Sequence, residues 1–176
     1  DPGKGTTIII RMPLHVEKAE KEKRKEFEEI CMYKIMIADD EYRLDSLKTF
    51  PWSDHQCCVT CFAENGLNAL HTLESEKVDI LISDIRMPGM NGPGAFKAVK
   101  ERSPETEIIL LTGYAEFEYA KQALSLGIRQ YLLKPFRFED IESALLSCIH
   151  SLDNLESRRR QQTYIQEKLQ LISPLL

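Results

Sequence analysis

The sequence predicts an α/β fold, a doubly wound parallel sheet built from five β-α units, (βα)5. Three observations carry that prediction. Between about Tyr33 and Leu152, short apolar runs alternate five times with amphipathic stretches, as buried parallel strands and their crossover helices do. The apolar runs are strand-length, too short for buried helices. Several of them also end on an acid, a threonine or a lysine, and such sheets gather their chemistry beyond the carboxyl ends of the strands.

Each element follows from its residues. Ile35-Met36-Ile37-Ala38 is the first strand and runs into Asp39-Asp40. Tyr42–Phe50 has helical spacing and stops at Pro51, which cannot donate to a continuing helix. Cys58–Ala63 is the second strand and Leu67–Leu73 the second helix. Ile80-Leu81-Ile82 runs into Ser83-Asp84; Pro93 then starts a helix over Gly94–Arg102. Ile108–Leu111 is a strand ending at Thr112. Phe117–Leu126 is a helix closed by Gly127. Tyr131-Leu132-Leu133 is the fifth strand, ahead of Lys134-Pro135, and Phe138 opens the last helix.

Composition removes several function classes. The 176 residues carry 23 Lys+Arg against 28 Asp+Glu, a net charge of −5, which argues against a protein held on nucleic-acid phosphates. No apolar run reaches the roughly 18–20 residues that cross a bilayer, and the first residues, Asp-Pro-Gly-Lys-Gly, do not read as a secretory signal. A cytoplasmic location is expected. The five cysteines, Cys31, Cys57, Cys58, Cys61 and Cys148, are an odd set that makes no closed disulfide framework. Cys58 and Cys61 have C-x-x-C spacing, but regular strand alternation sends residues three apart to opposite faces, so the two sulfurs are expected to diverge. They read as small strand residues and not as half a metal site.

The strand ends carry the chemistry. Asp39 and Asp40 follow the first strand, Asp84 the third, Thr112 the fourth and Lys134 the fifth. Carboxylates converging on one edge need a counter-charge. A hard divalent cation such as Mg²⁺, which prefers carboxylate, water and phosphate oxygens, supplies one. With an ammonium and a hydroxyl beside it, that set suits in-line phosphoryl transfer to an aspartate.

Residues 33–150 resemble the receiver domain of two-component response regulators. The resemblance rests on the acidic pair in IMIADDE, the segment ILISDIRMPGMNG, the segment LLTGYAEFEYAKQAL and YLLKPF, in that order and spacing. It implies a flavodoxin-like sheet of strand order 2-1-3-4-5 with helical extensions. It implies that Asp84 is the phospho-acceptor and that Asp40, Asp84 and the Arg86 carbonyl ligate Mg²⁺, with Asp39 helping through water. Thr112 is expected to hydrogen-bond the phosphoryl group, Lys134 to pair with it, and Tyr131 to change rotamer as Thr112 moves. The rearranging face would be Phe117–Leu126, Tyr131 and the start of the last helix. The Lys134-Pro135 bond is commonly cis in this family. Two large side chains, Arg86 and Tyr114, stand two residues after Asp84 and Thr112; they are expected to obstruct an attacking water and slow loss of the phosphoryl group. Gly113 replaces an alanine common after the threonine. The Gly89–Gly92 stretch is a turn, since it lacks the Gly-Lys-Ser/Thr ending of a phosphate loop.

The flanks divide the chain further. GKGTTIIIRMPL, within residues 1–16, resembles the end of a histidine kinase ATP-binding domain, which implies a hybrid histidine kinase as parent. Residues 17–32 are a charged, Glu/Lys-rich helical linker. Residues 151–176 form a helical extension or linker with apolar residues at Leu152, Leu155, Ile165, Leu169 and Ile172. Met32-Tyr33-Lys34 also resembles the start of a free-standing regulator, and the tail resembles the linker after the receiver in regulators with an arabinose-regulator-type helix-turn-helix. That leaves as alternatives the receiver half of a DNA-binding regulator, or a degenerate receiver that only docks proteins. The implied partner is a histidine kinase or phosphotransfer domain carrying phosphohistidine. Homodimerisation would use the rearranging face or the C-terminal helix. Arg158-Arg159-Arg160 is read as a solvated helix face, with no direct nucleic-acid contact and no membrane contact.

Overall fold

The computed structural model describes residues 31–39, 45–88, 90–91, 93–113, 117–128 and 130–172. Five parallel strands, β1 (Tyr33–Ala38), β2 (Cys57–Ala63), β3 (Ile80–Asp84), β4 (Glu107–Thr112) and β5 (Gln130–Leu133), form one sheet in the order β2-β1-β3-β4-β5. The helices are α1 (Asp45–Thr49), α2 (Gly66–Ser75), α3 (Pro93–Arg102), α4 (Phe117–Ser125) and α5 (Phe138–Ile172). The expected (βα)5 sheet and its strand order are therefore observed. Arg86–Met87 also pairs antiparallel with Met90–Asn91, so the middle of the Gly89–Gly92 stretch, expected to be a turn, is paired as strand.

Alternation along the strands sorts the core into two layers. Met36, Ala38, Leu81, Ile108 and Leu110 face one side, where Ala69 and Leu73 of α2, Phe96 and Val99 of α3 and Ala123 of α4 cover them. Ile35, Ile37, Ile80, Ile82, Ile109 and Leu111 face the other, against Leu47 of α1 and Ile141 and Leu145 of α5. Each such aliphatic side chain stabilises the fold by about 1.5–3 kcal/mol when fully removed from water. With both faces covered, the strands read as continuous apolar runs.

The helix ends have identifiable causes. Asn65 caps α2, its side chain accepting from the Asn68 N–H at 2.8 Å. Gly127 closes α4 at φ 81°; the Ile128 N–H donates to the Ala123 carbonyl and the Gly127 N–H to the Leu124 carbonyl, the paired bonds of a Schellman motif.

Three local features differ from the sequence expectations. A 3-10 turn, Trp52–His55, follows the Pro51 break; it buries Trp52, whose indole N–H donates to the Leu47 carbonyl at 2.9 Å. The register of β2 against β1 skips Thr60, so that Val59 pairs Ile35 and Cys61 pairs Met36. This bulge shifts the alternation by one residue, placing Cys58 and Cys61 on the same side of the sheet. The expected divergence of their sulfurs is thus corrected. Finally, Cys31 and Cys58 are paired as a disulfide, with Cα atoms 5.7 Å apart, so they are not simply small strand residues.

The last helix runs unbroken from Phe138 to Ile172, across the change in composition after Leu152. Beyond the sheet it is held by Ser151, whose hydroxyl donates to Glu107, by Tyr33, whose hydroxyl donates to Asp153, and by Arg159, which pairs with Glu105. No helix among the described residues is long and apolar enough to cross a membrane. Residues 1–30, which include the kinase-like segment and nearly all of the charged linker, lie outside the described residues.

Candidate functional site

The parallel sheet brings the carboxyl ends of β1, β3, β4 and β5 to one edge. Asp39 leaves β1 there, its N–H donating to the Ala63 carbonyl. Asp84 is the last residue of β3, paired in register with Leu111, so Thr112 stands one residue farther along the neighbouring strand. Lys134 follows β5, and its N–H donates to the Thr112 carbonyl at 2.8 Å. The Lys134–Pro135 peptide bond is cis.

Side chains close this frame. Lys134 Nζ donates to Asp84 Oδ2 at 2.5 Å and lies 3.7 Å from Asp39 Oδ2. The Arg86 N–H donates to Asp84 Oδ1 at 3.1 Å. Asp39 and Asp84 are 6% and 9% exposed, so two largely dehydrated carboxylates share one ammonium. Thr112 is buried as well, its hydroxyl donating to the Gly113 carbonyl at 3.2 Å. A groove of about 350 Å³ lined by Ser46, Lys134, Pro135 and Phe136 opens beside the lysine.

Of the residues singled out in the sequence, Asp39, Asp84 and Lys134 meet directly, and Thr112 joins them through the backbone. The Arg86 side chain is exposed, and its contribution at Asp84 is its N–H. Tyr131 lies outward at 54% exposure on β5. Asp40 and Tyr114 fall outside the described residues. Three residues at the site were not anticipated: Ser83, whose buried hydroxyl donates to the Asp84 carbonyl at 3.0 Å, and the groove residues Ser46 and Phe136. Ser83 carried a legible signal, a hydroxyl inside an otherwise apolar strand. The groove had none, because it forms between segments far apart in sequence.

The model of the response regulator receiver domain matches residues 35–146. The chain belongs to the receiver domain family. Among its relatives, the chain is 35% identical over 140 residues to the uncharacterized transcriptional regulatory protein YesN of Bacillus subtilis, covering 78% of this chain and 38% of that protein. It is 35% identical over 103 residues to the DNA-binding transcriptional regulator NtrC of Escherichia coli, covering 58% of this chain and 21% of NtrC. The chain thus spans well under half the length of these two regulators. Among solved structures, the REC domain of AraT, a response regulator from Geobacillus stearothermophilus, superposes with a TM-score of 0.63 at 32% identity, covering 72% of this chain and 98% of that chain.

Proposed function

We propose that this receiver takes a phosphoryl group from a phosphohistidine onto Asp84 in a Mg²⁺-dependent reaction. The observation that carries the reading is the Asp84 carboxylate, held between the Lys134 ammonium and the Arg86 N–H at the sheet edge beside buried Asp39. The donor set fits a hard cation: two carboxylates against one ammonium leave a local negative charge, before Asp40 is added. Asp39, Asp40, Asp84 and the Arg86 carbonyl would hold the metal, which neutralises phosphoryl oxygens when bound. Asp84 attacks phosphorus through one carboxylate oxygen as the bond to the donor imidazole breaks, and the imidazole leaves with the bonding pair. Lys134, its ammonium already at the carboxylate, pairs with the transferred oxygens, and Thr112 turns its hydroxyl from Gly113 toward them. The donor, a histidine kinase or phosphotransfer domain, approaches along the groove beside Lys134.

The rest of the reading follows from that chemistry. Movement of Thr112 draws Tyr131 inward and switches the α4-β5-α5 face, a two-state element that phosphorylation biases. Arg86 and Tyr114 slow hydrolysis of the phosphoryl group. Homodimerisation uses the α4-β5-α5 face or the C-terminal helix, and the protein works in the cytoplasm. The domain limits are 1–16 for a kinase remnant, 17–32 for the linker, 33–150 for the receiver and 151–176 for the extension. The N-terminal Gly-Lys-Gly-Thr segment favours a hybrid histidine kinase as parent. A second parentage, a DNA-binding regulator, is favoured by the likeness to NtrC, a DNA-binding transcriptional regulator, and to YesN, a transcriptional regulatory protein.

The test is intact-protein mass after incubation with Mg²⁺ and acetyl phosphate, beside Asp84→Asn. One phosphoryl adduct that needs both Mg²⁺ and Asp84 is the expected result. No adduct, together with no beryllofluoride binding, would leave only a protein-docking module. Labelling of the full parent protein by ATP alone separates the two parentages, since only a hybrid kinase phosphorylates itself.

A further inference from the structure

A second constellation lies at the opposite edge of the sheet, where the strands begin. The N–H groups of Met32 and Tyr33 both donate to the Gln56 carbonyl, at 2.9 and 3.2 Å. Gln56 has a left-handed backbone, φ 57°, and forms the corner from which β2 starts. These bonds hold the chain entering β1 beside the edge strand, and they bring Cys31 against Cys58, Cα to Cα 5.7 Å. That separation lies within the range a disulfide spans without backbone movement. Cys31 is partly exposed, whereas Cys58 is only 2% exposed.

The neighbouring thiols are not equivalent partners. Cys57 faces the opposite core layer, with Val59. Cys61 shares the Cys58 side of the sheet because of the bulge at Thr60, but its sulfur is engaged with Thr60 and Glu76. Among the described thiols, the Cys31–Cys58 pair is therefore the one that joins the segment before the sheet to the sheet itself.

We propose that Cys31 and Cys58 are a redox-modification site, a reversible cross-link that ties the charged segment entering the receiver to its edge strand, with a small disulfide such as oxidised glutathione as the oxidant. The accessible Cys31 thiolate attacks one glutathione sulfur; the sulfur–sulfur bond breaks and one glutathione thiolate leaves. The Cys58 thiolate then attacks Cys31 Sγ, forming the protein disulfide and releasing the second glutathione thiolate. Two protein thiols are oxidised and one glutathione disulfide is reduced to two thiols. Because Cys58 is buried, reduction begins at the Cys31 sulfur. The cross-link closes a segment of sequence separation 27 and lies at the opposite end of the sheet from Asp84.

The test equilibrates the whole chain in glutathione buffers of graded potential, quenches it with acid, then alkylates it unfolded and maps the peptides. The reduced chain should show five reactive thiols and the oxidised chain three, 5 − 2, with one cross-linked peptide containing Cys31 and Cys58. Oxidation should raise Tm by roughly 10 °C. Cys31→Ser should lose the cross-link and the Tm rise, while Cys61→Ser keeps both. A stable glutathione adduct on Cys31, a cross-link from Cys31 to Cys57 or Cys61, or an oxidised Cys31→Ser chain with the full Tm rise would each overturn the proposal. Because Cys31 lies before the first strand, its serine variant keeps the core intact and the comparison readable.

Discussion

One ammonium, Lys134 Nζ, faces the carboxylates of both Asp39 and Asp84, and removing the cation or removing a carboxylate should shift stability in opposite directions. Lys134→Ala leaves two buried carboxylates adjacent without their shared counter-charge. The lysine is about one-third exposed, so the loss should be roughly 1–3 kcal/mol, below the full cost of breaking a buried pair. Phosphoryl uptake should fall by about 10²–10³. Asp84→Asn removes the like-charge neighbour and should raise the urea midpoint in metal-free buffer while abolishing the adduct. Urea titrations of both variants check the signs, and equal destabilisation by the two would contradict them. Thiols supply a separate pH prediction. Burial pushes Cys57 and Cys148 up to about 12, from 9.0. Above pH 9 the unfolded chain sheds these protons while the folded chain keeps them, so stability present below pH 9 should fall progressively toward pH 12. Thermal melts of the reduced chain, compared with Cys148→Ala, measure this; a flat profile with no difference between the chains would refute it. Much of the site chemistry was legible at this scale, because each strand's last residue is a property of the run that precedes it. The sharing of Lys134 between two acids was not, since it depends on the lateral order of strands.

Among the elements, the helices and strands that follow uniform patterns were legible in sequence, and the irregular ones were not. CCVTCFA reads as an even strand; nothing in its composition singles out Thr60 as the extra residue, because the bulge is set by pairing with β1. The Trp52–His55 turn was equally hidden, as its stabilising bond runs from the Trp52 indole back across the Pro51 break to the Leu47 carbonyl. The continuity of α5 was obscured for another reason. Sequence reading placed a boundary where the apolar face ends, yet Glu, Arg, Gln and Lys all favour the helical backbone, so the helix persists after its packing partner stops. The contacts beyond that point are few and partly exposed. Tyr33→Phe, which removes the hydroxyl bond to Asp153, should cost about 1 kcal/mol locally and speed amide exchange around Asn154–Arg160 roughly fivefold. Unchanged exchange there would show that Arg159 and Ser151 suffice. The surface pair Arg159–Glu105 should add no more than about 1 kcal/mol and should weaken with salt.

For the whole molecule, the proposed Mg²⁺ binding would be linked to folding through the carboxylate edge. At a Mg²⁺ concentration about tenfold above Kd, the native state should gain roughly 1.4 kcal/mol, a rise of about 3–6 °C in Tm. Calorimetry with and without Mg²⁺ checks this, and Asp84→Asn should lose most of the gain. The two ends of the sheet divide the tasks: the strand C-termini gather Asp39, Asp84, Thr112 and Lys134, while the strand N-termini hold the Cys31–Cys58 pair and the tethers of α5. The helix α5 joins those ends. It begins four residues after Lys134 and continues for 35 residues, roughly 52 Å at 1.5 Å per residue. A straight rod of that length is a mechanical lever with its short arm against the sheet. Tilting it by about 5° at the Lys134 end displaces the far tip by roughly 4–5 Å, close to one helical turn. An angular change of that size would therefore arrive at residue 172 as a displacement approaching one full helical turn.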